Sequence, residues 1–395
     1  MMDKKRDIIN KIAYGSFYGG IVIEALLVII DKSAYTNPIE GQIFRLTFLL
    51  FLVKACFTRY SAREYALILF LGAVGALSYF ATGRNEALRL VVLVAACKNV
   101  DMKKCLKLVF FLTLAGCAVI ILLSLSGVYG AAVLTQDYGR GSVESRYTLG
   151  MGHPNALHCM VWSLILLGLY LYGEKMKWYY FAAPLILNYV FFLLTDSKTS
   201  FLVTGLTIVL TMLLVLVQSE RFKRLCVAAG YLGVIFCVGI SVTIAANAYR
   251  VYDYVWNGDR SEITLLFVKL NEIFNGRIRI LVENDGFEGT VGTWSLFSRP
   301  ENNYFFDMGW IRLFYWFGII PAGVFLGALL LLMVYCYKKQ DYMAAVVIIS
   351  ISVYSVIEAH VFSDYLARNY IFFLLGAYWH QMFPIIRRDK EKGKK

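Results

Sequence analysis

The chain has 395 residues, of which 59% are hydrophobic and 17% charged, with a formal net charge of +12 and a mean hydropathy of +0.62. An ordinary soluble domain is about half apolar and about a quarter charged, so this composition excludes one. Apolar runs near 20 residues, the length that crosses a bilayer as an α-helix, recur along the chain. The sequence does not show the short segments of alternating hydrophobicity that are typical of a membrane β-barrel. The composition therefore predicts an all-α polytopic membrane protein.

The apolar runs predict about twelve transmembrane helices. They lie near 8–30, 39–57, 64–80, 86–97, 105–128, 153–172, 178–194, 200–217, 225–247, 305–337, 343–358 and 365–386. The first nine occupy 1–247, and the last three occupy 305–395 together with a basic tail. The segment between them, 248–304, is the one large extracellular loop of this prediction.

Lysine and arginine set the orientation, because loops on the cytoplasmic side carry an excess of both. With the N-terminus in the cytoplasm, 24 of the 39 basic residues fall in the cytoplasmic loops and tail. We therefore predict a multi-pass protein of the cytoplasmic membrane with both termini in the cytoplasm. The net charge then reflects anchoring against anionic lipid and requires no nucleic-acid partner.

The remaining 15 basic residues are mostly arginine, whereas lysine predominates on the cytoplasmic side. Lysine suffices for anchoring, but the planar fork of arginine suits phosphate and carboxylate. This asymmetry favours an anionic ligand on the outer face. The alternative is that these arginines pair with nearby acids or lipid headgroups.

Several familiar site motifs are missing. The eight cysteines lie outside the long external loops, and the sequence contains no CxxC, HExxH, GxxxxGK[ST] or GxGxxG. We therefore expect no structural disulfides, no metal site and no cofactor.

The external segment contains SEITLLFVKLNEIFNGRIRILVEN, whose apolar residues recur at three- and four-residue steps. This spacing predicts an amphipathic helix that lies along the membrane or caps a cavity. The glycine-rich stretch that follows is typical of a loop.

Ionisable residues occur within or at the ends of the predicted spans, namely Glu24, Arg45, Arg89, Arg312 and Glu358. Such groups are expensive in hydrocarbon and usually face a bundle interior or a wet cavity. They predict an outward-facing polar cavity. For each of them a structural ion pair is an equally good interpretation.

The stretch GMGHPNALHCM, residues 150–160, joins a polar loop to an apolar run. Proline suits the first turn of a helix, which places His153 at or near the N-cap and Asn155 in the first turn. The free N–H groups and the positive dipole end there could hold an anion. Simple capping at the membrane interface is the alternative.

Four stretches follow one another in chain order. They are GMGHPNALHCM, then LLTDSKTSFLV two spans later, then LNEIFNGRIRI in the external segment, and RPENNYFFDMGWIRLFYWFGIIPAG before the next helices. Together they resemble the motifs of the bacterial O-antigen polymerase and ligase superfamily. The order and spacing agree over roughly 80–390, and the chain looks most like the polymerases of capsular or exopolysaccharide repeat units.

The resemblance implies a metal-independent, GT-C-type membrane glycosyltransferase. Its donor would be an oligosaccharide on undecaprenyl pyrophosphate, and its acceptor a sugar hydroxyl of another lipid-linked repeat unit. A flippase and a chain-length regulator would be its protein partners.

The motifs also imply site residues. Where the ligase branch usually has a histidine, this chain has Glu301, Asn302 and Asn303, so the general base would be Glu301 or Asp307. Arg277 would grip the pyrophosphate, with Arg279 as its alternative. The further substrate-binding candidates are Arg89, Arg146, His153, Asn155, Ser197, Lys198, Arg299, Asn303 and Glu358.

Other functions remain open from the sequence. A ligase would move a finished glycan to another acceptor, and a non-catalytic assembly partner is also possible. A flippase or transporter of lipid-linked oligosaccharides would share the polar cavity, but it usually shows two similar halves.

Overall fold

The computed structural model describes residues 2–137, 143–283, 287–363 and 365–392. Over these residues the chain is a bundle of sixteen α-helices with one two-stranded hairpin. Eight of the helices are long and apolar enough to cross a membrane. The fold is thus all-α apart from the hairpin, and it is that of a polytopic integral membrane protein.

The helices before the long external segment are α1 (Met2–Lys32), α2 (Glu40–Cys56), α3 (Ala62–Thr82), α4 (Glu86–Ala96), α5 (Met102–Leu125), α6 (Pro154–Tyr172), α7 (Ala182–Thr195), α8 (Lys198–Leu216) and α9 (Glu220–Asn247). The hairpin, β1 (Val133–Asp137) and β2 (Val143–Tyr147), lies between α5 and α6. The later helices are α10 (Tyr249–Tyr252), α11 (Glu262–Ile273), α12 (Arg277–Ile280), α13 (Gly309–Phe317), α14 (Ile319–Lys339), α15 (Tyr342–Tyr354) and α16 (Tyr370–Lys392). Residues 393–395 of the predicted basic tail lie outside the described part of the chain.

Local sequence explains where α3 begins and ends. Ser61 accepts a hydrogen bond from the Glu64 backbone N–H, and the Glu64 carboxylate accepts one from the Ser61 backbone N–H. This capping box satisfies two N–H groups that have no partner within the helix. Gly83 ends the helix with a φ of 73°, a left-handed conformation that glycine adopts readily.

The predicted span at 305–337 is two helices, α13 and α14, which meet at Gly318 with a φ of 95°. A Cβ there would approach the Leu296 carbonyl oxygen to 2.7 Å. The N–H groups of Ile319 and Ile320 donate to the carbonyl oxygens of Ser295 and Leu296, at 2.9 and 3.0 Å. The break thus lets the external segment cap the start of α14.

The amphipathic helix is also shorter than the segment over which the sequence pattern predicts it. It ends at Ile273, because Asn275 and Gly276 both adopt positive φ and begin a new turn at Arg277. Phe267 and Phe274 are buried, whereas Ile263 and Leu266 are exposed. Some apolar residues of this segment therefore pack against the protein, whereas others face outward.

The most enclosed elements are α6 and α15, which pack against each other through aromatic and hydroxyl groups. Trp162 stacks on Tyr354 with ring centroids 4.3 Å apart, and its Nε1 donates to Oγ of Ser350 at 3.0 Å. Trp310 of α13 donates to the Ser352 carbonyl oxygen at 2.9 Å. Such buried hydrogen bonds join transmembrane helices that have no hydrophobic drive to associate. These hydrogen bonds support the end of the bundle that carries 248–308. We call this end of the bundle the loop end.

Candidate active site

His153 is the N-cap residue of α6, as the sequence predicted. Its Nδ1 accepts a hydrogen bond from the Asn155 backbone N–H at 3.1 Å, and Pro154 follows at the first helical position. Burial lowers the pKa of the His153 imidazole, which favours the neutral form that can accept this bond. With its backbone held in this way, Asn155 presents its side chain at the loop end of the bundle.

Arg277 is the most constrained residue of the external segment. Its guanidinium lies 2.7 Å from Oε1 of Glu358 and 3.5 Å from Oδ2 of Asp307, and the side chain is only 10% exposed. Its Nε is buried and has no hydrogen-bond partner among the described residues. Two carboxylates from later parts of the chain thus hold one arginine at a fixed position.

Glu358 lies in the connection between α15 and α16, beyond the end of the α15 helix. Burial raises the pKa of its carboxyl from 4.5 to about 7, and the neighbouring Asp307 adds to this effect. The Arg277 guanidinium acts in the opposite direction. Glu358 is therefore poised to change charge near neutral pH.

A first polar cavity of about 420 Å³ lies beside Arg277 at the loop end. The predicted residues that line it are Arg146, His153, Asn155, Ser197, Lys198, Arg277 and Asp307. The structure therefore places residues from all four motifs that carried the family resemblance around one cavity. The fourth motif contributes Asp307.

The hairpin between α5 and α6 positions Arg146 in this cavity. Arg146 is buried, and its guanidinium bonds the Glu144 carboxylate and lies 3.5 Å from Oδ2 of Asp196. Asp196 ends α7 with a φ of 48°, and Ser197 and Lys198 follow directly. One ion pair thus joins the hairpin to the turn between α7 and α8.

A second polar cavity, of about 340 Å³, lies on the other side of Asn155 and Asp307, which line both cavities. Its charged lining residues are Asp31, Lys32, Asp307, Arg312, Glu358 and Arg368. Asp307 is therefore a carboxylate that faces two polar spaces at once, and its side chain is 38% exposed.

A first apolar groove of about 900 Å³ runs along α5, α6 and α7. It extends from Met151, two residues before His153, to Lys175 and Met176 beyond the far end of α6. Leu114 and Leu187 on its walls are exposed, so the groove is open to the surface that faces lipid.

A second apolar groove, of about 360 Å³, lies between α3, α4, α13, α14 and α16. Phe317 and Phe362 line it toward the loop end, and Trp379 and Met382 line it toward the opposite end. Its wall residues Phe70 and Leu331 are exposed. Both grooves are lined mainly by apolar side chains.

Several candidates lie away from both cavities. Glu301, Asn303 and Arg299 are exposed and line neither polar cavity. Arg279 is 62% exposed and pairs with Glu283 at 3.4 Å. Arg277 and Arg279 thus point to different sides.

Arg89 is buried inside the bundle, where it donates to Glu24 at 2.9 Å. The same Glu24 carboxylate accepts from the Thr47 hydroxyl and from the Leu366 backbone N–H. Arg89 lines neither polar cavity, so its position is that of a structural ion pair.

Sequence reasoning did not assign Asp31, Lys32, Asp196 or Arg368 to a site. Arg312 carried a signal, since it is an arginine within an apolar stretch, and Arg368 belongs to the arginine excess on the outer face. Lys32 looked like an ordinary charge at the end of a helix, and Asp196 like an ordinary turn residue. Only the packing of α1 and α7 against the loop end brings these two to the cavities.

No protein-family model, curated protein or solved structure matches this chain. Within the described residues, no group of three or more histidine, cysteine, aspartate or glutamate side chains is arranged to hold a metal ion.

Proposed function

We propose that this protein is a membrane glycosyltransferase that polymerises oligosaccharide repeat units carried on undecaprenyl pyrophosphate. The observation that carries the proposal is the position of Arg277. This guanidinium lies beside Asp307 at a polar cavity, and the lipid-facing first apolar groove ends nearby at Met151. A lipid-linked glycan needs a cationic group for its pyrophosphate, a polar cavity for its sugars and an apolar groove for its lipid, all close together.

The donor would bind with its pyrophosphate near Arg277 in the first polar cavity. Arg146, Lys198 and the first turn of α6 would place further hydrogen-bond donors around the same space, which Asp196 and Glu272 also line. Fixed guanidinium groups stabilise the charge that develops on the leaving pyrophosphate, and a low-dielectric site strengthens this effect.

The long prenyl chain of the donor would lie in the first apolar groove, which ends at Met151 beside His153. Burial of apolar surface contributes about 0.8 kcal/mol for each CH₂ group. A prenyl chain in the groove would therefore hold the donor while its glycan occupies the polar space above.

Asp307 would serve as the general base. The oxygen of the acceptor hydroxyl forms a bond to the anomeric carbon of the donor, and its proton passes to the Asp307 carboxylate. The bond between the anomeric carbon and the phosphate oxygen breaks, and its electron pair leaves with undecaprenyl pyrophosphate. Asp307 suits this role because it faces both cavities and lies against Arg277.

The proposal includes the membrane topology. The chain would cross the cytoplasmic membrane about twelve times, with both termini in the cytoplasm and 248–304 outside. The helices α2, α4, α15 and α16 would complete the crossings begun by the eight long ones. The loop end, with both polar cavities, would then face the outer side.

Incubation of the purified protein with its lipid-linked repeat unit tests the proposal. A polymerase yields a ladder of lipid-linked products in steps of one repeat, and the ladder disappears in the Asp307→Asn variant. Transfer of a glycan once to a different acceptor would instead make the protein a ligase. Movement of the intact lipid across a vesicle membrane without new glycosidic bonds would make it a flippase.

A further inference from the structure

Helix α11 and its C-cap residue carry three stripes of side chains along their length. Within each stripe the residues follow at steps of three, four and three, the spacing at which side chains share one face of a helix. The first stripe packs into the protein and consists of Thr264, Phe267, Asn271 and Phe274. The second, which we call the apolar stripe, consists of Ile263, Leu266, Leu270 and Ile273. The third, which we call the charged stripe, consists of Glu262, Leu265, Lys269 and Glu272, all of them exposed.

The apolar stripe lies between the other two. Each of its members follows a residue of the charged stripe and precedes a residue of the buried one, so the two neighbouring stripes flank it on the helix surface. Although it is apolar, Ile263 is 53% exposed, Leu266 54% and Ile273 73%. A contiguous apolar face beside a charged one is typical of a helix that contacts an apolar phase along one side.

The length of α9 sets the level of α11 relative to the membrane. The 28 residues of α9 rise about 1.5 Å each, so this helix is about 42 Å long. A bilayer with its headgroup layers is about 40–45 Å thick, so a helix that begins in one headgroup layer ends in the other. The short helix α10 follows directly, and α11 packs against α10. Helix α11 therefore lies at the level of the headgroups at the loop end.

Aromatic residues mark the same level of the chain. Tyr249 comes two residues after the end of α9, and Trp256 follows shortly after α10. Both side chains are exposed, and Trp256 is 72% exposed. Tryptophan and tyrosine are enriched where a membrane protein passes through the headgroup layer, because their rings are apolar and their edges can form hydrogen bonds.

We infer that the apolar stripe of α11 and the ring of Trp256 dock on the lipid leaflet at the loop end, with the charged stripe turned toward water. The charged stripe holds two glutamates and one lysine, so this docking depends on apolar contact and not on anionic lipid. The inference requires only that the chain spans a membrane. It therefore goes beyond the proposed function and holds for any reaction at the loop end.

Lipid contact along α11 would also fix the depth of the turn that follows it. Ile273 belongs to the apolar stripe and lines the first polar cavity as well. Only Phe274, Asn275 and Gly276 separate it from Arg277. Because a lipid-borne phosphate lies in the headgroup layer, a helix docked at this level holds Arg277 at the depth of such a group.

Bimane fluorescence of the full-length protein in phosphatidylcholine nanodiscs tests the inference. The label is attached through Leu266→Cys or through Leu265→Cys, two exposed neighbours on different stripes of one helix. The exposed Cys56 and the half-buried Cys226 are first replaced by serine. A doxyl-labelled phosphatidylcholine quenches from the lipid, and iodide quenches from water. The doxyl lipid should quench the label at 266 about threefold or more strongly than at 265, and iodide should show the reverse order.

A charge placed in the apolar stripe provides a matched pair of variants. With the label at Ile263→Cys, Leu266→Glu should lose about half or more of the quenching by doxyl lipid, because a carboxylate is costly to place in an apolar phase. Leu265→Glu adds the same charge to the charged stripe and should keep this quenching. Both positions are exposed, so neither substitution disturbs the packed side of α11, and melting temperatures check this.

Two results would overturn the inference. If iodide quenches the labels at 265 and 266 equally, the apolar stripe faces water. If the label at 266 is shielded from both quenchers, protein covers the stripe, and in nanodiscs of the purified chain that protein is a second copy. Quenching by doxyl lipid at 266 in a protein that forms no polymer would retain this surface and refute the proposed function alone.

Discussion

The guanidinium of Arg277 lies 2.7 Å from the carboxylate of Glu358, which comes 81 residues later in the chain. This contact joins the external segment to the connection between α15 and α16. Asp307, which lies between them in sequence, approaches the same guanidinium at 3.5 Å. Three separate segments thus converge on one arginine at the loop end.

Replacement of Arg277 by lysine should reduce polymerisation by about 100-fold or more, because the point charge of lysine cannot replace a forked donor. Arg279→Lys should be mild, since Arg279 is exposed and pairs with the exposed Glu283. Initial rates on the lipid-linked repeat unit, at equal protein levels in the membrane, measure the difference. Equal activity in the two variants would show that this turn does not grip pyrophosphate.

Asp307→Asn should lower the rate by about 100- to 10,000-fold if the carboxylate accepts the proton of the acceptor hydroxyl. Glu301→Gln should stay within a few fold of the wild type, because Glu301 is exposed and lines neither polar cavity. Single-turnover assays with preloaded donor separate this chemical step from binding. A large loss in Glu301→Gln with a normal Asp307→Asn would assign the base to Glu301.

Glu358 should make stability depend on pH. Since its pKa is raised from 4.5 to about 7, its contribution to stability is fully present below about pH 4.5 and is lost as the pH rises through 7. The wild-type melting temperature should therefore fall between pH 5 and 8 relative to that of Glu358→Gln. Thermal unfolding in detergent, followed by tryptophan fluorescence, measures the two melting temperatures. If the melting temperatures of the wild type and Glu358→Gln change with pH in the same way, the pKa of the Glu358 carboxyl lies outside this range.

Arg89→Gln should destabilise the protein while leaving the KM for the donor unchanged. Removal of one partner from a buried ion pair costs about 3–5 kcal/mol, because it leaves the other charge uncompensated. Glu24, the partner that remains, is fully buried. Melting temperatures and donor KM values for this variant distinguish a structural role of Arg89 from a role in substrate binding. A raised KM at normal stability would indicate that Arg89 binds the donor.

The external position of 248–304 can be tested by cysteine labelling with a membrane-impermeant maleimide. Gly289 is a poor choice, because its φ is 96° and a Cβ would lie 2.8 Å from Leu281. A Cβ at Gly292 would meet only ordinary van der Waals contact, with Oγ1 of Thr290 at 3.9 Å, so Gly292→Cys should react in intact cells. The native Cys56 is exposed at the end of α2 and should react only after lysis. The reverse pattern would invert the topology.

Sequence patterns predicted features that depend on neighbouring residues. The proline and histidine at 153–154 were sufficient to place the N-cap of α6. The break at Gly318 could not be predicted in this way, since the apolar pattern continues across it. Its cause is the close approach of 296–298, which lies some twenty residues earlier and follows no periodic rule.

The second polar cavity was even less accessible from the sequence. Lys32, Arg312 and Arg368 come from three distant parts of the chain, and no local pattern relates them to one another. Their proximity depends on how α1 packs against the later helices. The first polar cavity was easier to foresee, because the motifs that line it carried the family resemblance.

The capping of α14 by the carbonyl groups of Ser295 and Leu296 sets an order on biosynthesis. When the ninth helix has entered the membrane, the external segment has been made but lacks the helix start that it must cap. Arg277 at that stage has neither Asp307 nor Glu358 to hold it. A nascent chain therefore cannot form the contacts of Arg277 with Asp307 and Glu358 until the last helices have been made.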